Sequence, residues 1–122
     1  MIRWAAIRVQ TVSTIDIGYA GETAAAEELV RRGYTVLDRN WRTKWCEIDI
    51  IACKDDVIWF VEVKYRATDA FGDGLDYIGP QKLQHMERAA NLWTNRHVYD
   101  GEYVLGAMSV DGRGTISELI EV

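Results

Sequence analysis

The run from Glu47 to Arg66 constrains this chain most. Two β-rich segments, Glu47-Ile-Asp-Ile-Ile-Ala52 and Val57-Ile-Trp-Phe-Val-Glu-Val-Lys-Tyr-Arg66, flank the polar tetrad Cys53-Lys-Asp-Asp56. The spacing predicts a β-hairpin with Asp55 and Asp56 as the central turn residues, since aspartate tolerates tight turns. Each strand carries two charges at spacing two: Glu47 and Asp49 on the first, Glu62 and Lys64 on the second. Spacing two means one face per strand. The turn then places Asp49 across from Glu62, and Glu47 across from Lys64, with Cβ atoms about 5 Å apart. Ile48, Ile50, Val61 and Val63 take the other face, while Ile51, Ile58 and Phe60 share the charged one. Two carboxylates held so close repel, which raises one pKa unless a cation intervenes. A hard divalent cation such as Mg²⁺ resolves the conflict, because it takes oxygen ligands.

The rest of the chain bounds the setting. Its 122 residues suffice for one core, and 48% hydrophobic with 27% charged residues is a globular balance. The net charge of −5 opposes broad electrostatic attraction to nucleic acid. Basic residues nevertheless concentrate between positions 31 and 66, around the acidic hairpin. Cys46 and Cys53 give no disulfide framework and, on one strand, face opposite sides. Zinc is not expected from them. No apolar run reaches membrane-spanning length, and Arg8 breaks the short N-terminal patch that a signal peptide would need. A cytoplasmic protein with free thiols is the expectation.

Residues 1–13 read as an N-terminal arm, and 14–122 as a single domain. Ser13 or Thr14 caps an expected helix whose run is Ala20 to Arg32, closed by Gly33. Glu22, Ala25, Ala26, Leu29 and Val30 share a helical stripe facing the core. Periodicity leaves two readings of Glu22: a first-turn glutamate favoured by the helix dipole, or a third acid for the hairpin. The sheet face covered by this helix is expected to be the one bearing Asp49 and Glu62. Tyr34–Leu37 reads as a strand, and 38–45 as a basic connection with two readings for Arg39, Arg42 and Lys44: phosphate contacts or a plain solvated loop. Packing is the preferred role for at least one of Trp41 and Trp45. The glycine-rich, acidic stretch 67–79 reads as a loop beside the charged strands. Pro80 opens a second helix with Leu83, Met86, Ala90 and Trp93 buried. Lys82, His85 and Arg88 lie off that stripe. Two strands, 103–110 and 115–122, end the chain around Asp111-Gly-Arg-Gly114. The order α-β-β-β-α-β-β predicts an α/β fold with a mixed sheet flanked by helices.

Asp49 followed, after a twelve-residue gap, by Glu62-Val63-Lys64 resembles the signature of the PD-(D/E)XK nuclease superfamily. Gly21-Glu22, Arg32-Gly33-Tyr34, Asn40-Trp41-Arg42, Glu47-Ile48-Asp49, Phe60-Val61-Glu62-Val63-Lys64 with Arg66, Phe71-Gly72 and Lys82 resemble the YraN-like family of uncharacterised endonuclease-like proteins. That family is similar in fold to archaeal Holliday-junction resolvases. Cys46 stands where the family usually has glycine.

The resemblance implies a restriction-endonuclease-like sheet and metal-dependent hydrolysis of DNA phosphodiester bonds, with branched DNA as a candidate substrate and a homodimer as a candidate assembly. Asp49, Glu62 and the Val63 carbonyl would hold Mg²⁺ or Mn²⁺, with Glu22 as an added ligand. Glu22, Asp49, Glu62 and Lys64 form the implied catalytic set. Arg39, Arg42, Lys44, Arg66 and Lys82 are the candidate DNA contacts. A non-catalytic nucleic-acid-binding or assembly protein on the same fold is the competing expectation.

Overall fold

A computed structural model describes residues 20–66 and 78–122. The expected N-terminal arm, the caps at Ser13 and Thr14 and most of the 67–79 loop lie outside the described residues. The elements run α1 (Ala20–Arg31), β1 (Thr35–Arg42), β2 (Glu47–Lys54), β3 (Val57–Arg66), α2 (Pro80–Arg96), β4 (Glu102–Asp111) and β5 (Ile120–Glu121). They build a five-stranded sheet in the order β1-β2-β3-β4-β5. Among the described residues, only β3 and β4 pair in parallel, with α2 in the crossover between them. The mixed α/β architecture and the element order match the expectation from sequence.

The hairpin turn forms as its residues dictate. Lys54 pairs with Val57, and Asp55 and Asp56 both hold left-handed backbones, at φ 52° and 64°. Positive φ at both central positions is the turn whose twist suits a two-residue hairpin. Gly33, at φ 95°, ends α1, and Lys54 of β2 donates to the Arg32 carbonyl beyond the last turn at 2.9 Å. Pro80 occupies the first turn of α2 behind an extended Gly79.

The helices cover opposite faces. Ala25, Ala26 and Leu29 of α1 pack on Val36, Ile50, Ala52, Val61 and Met108. Met86, Ala89, Ala90 and Trp93 of α2 pack on Leu37, Ile48, Ile51, Ile58 and Phe60. Phe60 lies edge-on to both Trp93 and Tyr103, centroids 5.7 and 5.5 Å away. Strand alternation therefore sorts β3 as expected, Phe60 to one side and Val61 to the other.

Several expectations are corrected. Strand β1 continues through Arg42 and absorbs most of the expected basic connection. The last strand shrinks to Ile120–Glu121, with an isolated bridge from Ile116 to Val110. Val30 is exposed, because α1's buried arc rotates toward Thr23, Ala26 and Leu29 instead. Leu83 is only partly covered, and Ala89 joins the buried stripe of α2. Ile48 lies on the α2 side although Ile50 lies on the α1 side. Simple alternation fails there, as argued next.

Candidate active site

The failure of alternation is centred on Asp49. In β1, Arg39 pairs with Ile50 and Trp41 with Ile48. Arg39 reaches α1, whereas Trp41 packs on the α2 side. Both strands thus change face at one level, with Asn40 (φ 53°) between the two in β1 and Asp49 between the two in β2. The β2–β3 ladder also stops there: its last pair is Ile50 with Val61. Neither expected cross-strand pair is part of the ladder: Asp49 and Glu62 lie beyond its last pair, though near enough to repel, and Glu47 lies across from Arg42 of β1, whose Nη2 is 3.5 Å from its carboxylate. Beyond the last pair, the Val63 N–H has no β2 carbonyl to meet. Asp49 replaces it, accepting that N–H on Oδ2 at 2.8 Å.

Three acids from three elements meet at this open end. Glu22 enters from the first turn of α1, Asp49 from the kink in β2 and Glu62 from β3. Burial pushes Glu22 up; Arg39 and a hydrogen bond with Asp49 oppose this, and Glu47 and Glu62 add to it. Burial first, then the charge of Glu22 against the opposing Val63 N–H bond and Lys82, brings Asp49 to about 6. Burial and Asp49 raise Glu62, against Lys82 and Lys64. Glu22 Oε1 is buried and, among the described residues, has no hydrogen-bond partner. A buried carboxylate oxygen left unpaired is costly unless a ligand or ion completes it.

The expected face for α1 is corrected here. The helix covers the Ile50, Val61 and Val63 side, not the side of Glu62. Glu62 instead faces α2, where Lys82 Nζ lies 3.1 Å from its Oε1. Glu22 joins the acids around the end of the sheet, because the hairpin opens at that level and Asp49 sits on the kink.

Among the described residues, no group of three or more His, Cys, Asp and Glu stands arranged to hold an ion. Lys82 occupies one oxygen of Glu62 and Val63 occupies one of Asp49. The donors are all hard oxygens, and Glu22 Oε1 is unpaired, so their chemistry fits Mg²⁺ or Mn²⁺ with Lys82 released from Glu62.

The candidate DNA contacts separate. Arg39 turns inward: Nη2 donates to Thr23 Oγ1 at 3.0 Å and Nε is buried with no partner among the described residues, so it serves Glu22 electrostatically. Arg42, exposed at the end of β1, donates to Asn40 Oδ1. Lys44 is exposed in the turn before β2. Lys64, beside Glu62, and Lys82 join the acids. Arg66 closes β3 in register with Asp111, and its side chain lies outside the described residues.

Sequence reasoning missed one feature, a cleft of about 370 Å³ lined by Arg42, Trp45, Glu47, Lys82 and His85 among others. Trp45 stands 67% exposed at its mouth. The only signal was a tryptophan directly after Lys44, at the end of a basic run. Cys46 has no positive φ, so the turn before β2 forms without the glycine usual in the resembled family.

The fold and site define a mixed α/β protein whose acids and lysines gather at the open end of a β-hairpin. The chain belongs to the uncharacterised protein family UPF0102, the YraN-like family, whose model matches residues 21–111. It is 42% identical over 85 residues to a UPF0102 protein of Mycobacterium avium (strain 104), covering 68% of this chain and 66% of that protein. It is 39% identical over 87 residues to a UPF0102 protein of Flavobacterium johnsoniae, covering 71% of each. A UPF0102 protein of Syntrophomonas wolfei subsp. wolfei is 35% identical over 109 residues, covering 86% of this chain and 95% of that protein. Among the described residues, no helix is long and apolar enough to cross a membrane.

Proposed function

We propose that this protein is a metal-dependent endonuclease of the PD-(D/E)XK type, hydrolysing DNA phosphodiester bonds. The observation that carries the reading is the convergence of Glu22, Asp49 and Glu62, each with a raised pKa, around a buried and unpaired carboxylate oxygen. Burial and like charges gathered at one end of a sheet are the arrangement by which active sites shift the pKa of their acids. Branched DNA and a homodimer are the substrate form and assembly implied by the resemblance to Holliday-junction resolvases.

Asp49, Glu62 and Glu22, with the main chain at Val63, would hold Mg²⁺ or Mn²⁺. Such an ion supplies Lewis acidity toward phosphate oxygen and acidifies a bound water. The Val63 N–H fixes the Asp49 carboxylate, so one of its oxygens is held in place before any substrate arrives. Lys64 stabilises negative charge developing on the phosphate. Lys82, released from Glu62, is a second cation for the same charge.

The Lys82–Glu62 ion pair also supports a second reading, a non-catalytic nucleic-acid-binding or assembly protein in which lysine replaces the metal. Incubation of plasmid, single-stranded and four-way-junction DNA with Mg²⁺ or Mn²⁺ separates the two. The nuclease reading expects cleavage that EDTA, Asp49→Asn and Lys64→Ala each abolish. Intact DNA under all these conditions, from a protein that binds it, establishes the second reading instead.

A further inference from the structure

We propose that the cleft at Trp45 is a stacking subsite for an unpaired base of a DNA strand, and that it gives the protein a preference for single-stranded or splayed DNA over continuous duplex. The proposal rests on the nuclease reading of the neighbouring acids and adds to it the form of substrate.

Trp45 differs from the other described tryptophans. Trp93 is fully buried, and Trp41 and Trp59 are partly buried in the two cores. Trp45 is held outward on a fastened turn. Thr43 N donates to the Cys46 carbonyl at 2.8 Å, Thr43 Oγ1 accepts from Trp45 N and Cys46 N, and Cys46 is anchored in the α2-side core. The indole is therefore exposed on a backbone that needs little ordering on binding.

Its surroundings identify the ligand chemistry. The Lys44 ammonium lies 5.8 Å from the Trp45 ring centre. Among the described residues, Arg42 and Lys82 line the cleft beside His85, with Glu47 as the single acid. An exposed indole with one ammonium over its ring and further cations along the cleft suits a ligand carrying both a π face and negative charge, which a nucleotide does. The cleft opens on the proposed catalytic site through shared residues. Lys82 bonds Glu62, and the charge of Glu47 acts on Asp49. A base stacked on Trp45 would thus place its phosphate between the cleft and the acids. Bases inside a duplex have both faces covered by neighbours, so only an unpaired or terminal base can occupy the subsite.

The test measures anisotropy of labelled oligonucleotides in EDTA: a single strand, a splayed-arm duplex and a blunt duplex closed by hairpins at both ends. The wild type is expected to bind the first two more tightly than the closed duplex. Trp45→Ala should weaken single-strand binding roughly tenfold or more, with little effect on the closed duplex, and Trp45→Phe should retain most of it. Equal affinity for all three DNAs, no measurable binding, or unchanged single-strand binding by Trp45→Ala overturns the proposal. Cleavage is assayed separately with Mg²⁺ for the wild type and Asp49→Asn. Absence of metal-dependent cleavage with the Trp45 effect intact defeats the nuclease reading alone. Cleavage with no Trp45 effect defeats the subsite alone.

Discussion

At the residue scale, Asp49 decides how the site behaves without metal. Its pKa rises from the ordinary 3.8 to about 6, chiefly through burial. A folded-state acid pKa above the unfolded one means that folding binds protons between these values. Stability therefore falls as pH rises through that window and levels off above it. The loss reaches about 3 kcal/mol at full development, taking 1.36 kcal/mol per pKa unit. Asp49→Asn keeps an oxygen for the Val63 N–H and removes the charge. In EDTA it is expected to melt above the wild type at pH 7, with the difference vanishing near pH 4; an equal gap at both values would show that the carboxylate is not under strain. Glu22 has the same sign for the same first cause, burial. Glu22→Gln should leave the apo protein as stable or more so while reducing stabilisation by Mn²⁺, whereas exposed Glu27→Gln should do neither. Melting curves with and without Mn²⁺ decide. A destabilised apo Glu22→Gln variant with full metal response makes Glu22 an ordinary helix residue.

At the scale of elements, the β2–β3 hairpin performs two tasks at opposite ends. Its turn end is closed by Asp55 and Asp56 in left-handed conformations, with the Tyr99 hydroxyl donating to the Asp56 carbonyl at 3.2 Å. Its open end parts after Ile50 and Val61 and there holds the acids. The closed end keeps the register that the open end needs. Asp56→Gly fits the same backbone and should leave the melting temperature nearly unchanged. Asp56→Val, β-branched at positive φ, should cost about 1–2 kcal/mol by chemical denaturation. Equal stability of the two variants would mean that the turn relaxes to another form.

For the molecule as a whole, the sheet separates two cores with no residue in common, one under α1 and one under α2. The site lies at the open end of the β2–β3 ladder, where Glu22 of α1 and Lys82 of α2 both reach the acids. Ile50 belongs to the first core and Ile58 to the second, and both are fully buried. Ile50→Val and Ile58→Val should each cost about 0.5–1.5 kcal/mol. With no shared packing partners, the double variant should equal their sum within about 0.5 kcal/mol. A larger coupling in urea denaturation would show that strain passes through the sheet.

Much of this was written locally. The Asp55-Asp56 turn, the runs of β2 and β3, Gly33 ending α1 and Pro80 opening α2 follow from backbone preferences within a few residues, so the element order and the hairpin register up to Ile50 and Val61 were legible from local signals. The same patterns singled out Asp49, Glu62 and Lys64, because charges set into apolar periodicity stand out wherever the chain goes, whereas periodicity left Glu22 with two readings and only the family resemblance added it to the set. Alternation along one strand could not show where that alternation breaks. The change of face at Asn40 and Asp49 arises from two paired strands kinking together, and it decides that Glu47 meets Arg42 and not Lys64. Which face each helix covers depends on the crossover from β3 through α2 to β4, a non-local choice. Only the tertiary structure therefore turned Arg39 inward to Glu22, paired Lys82 with Glu62 and left Trp45 exposed beside the acids, because each of these contacts joins segments that no local preference connects.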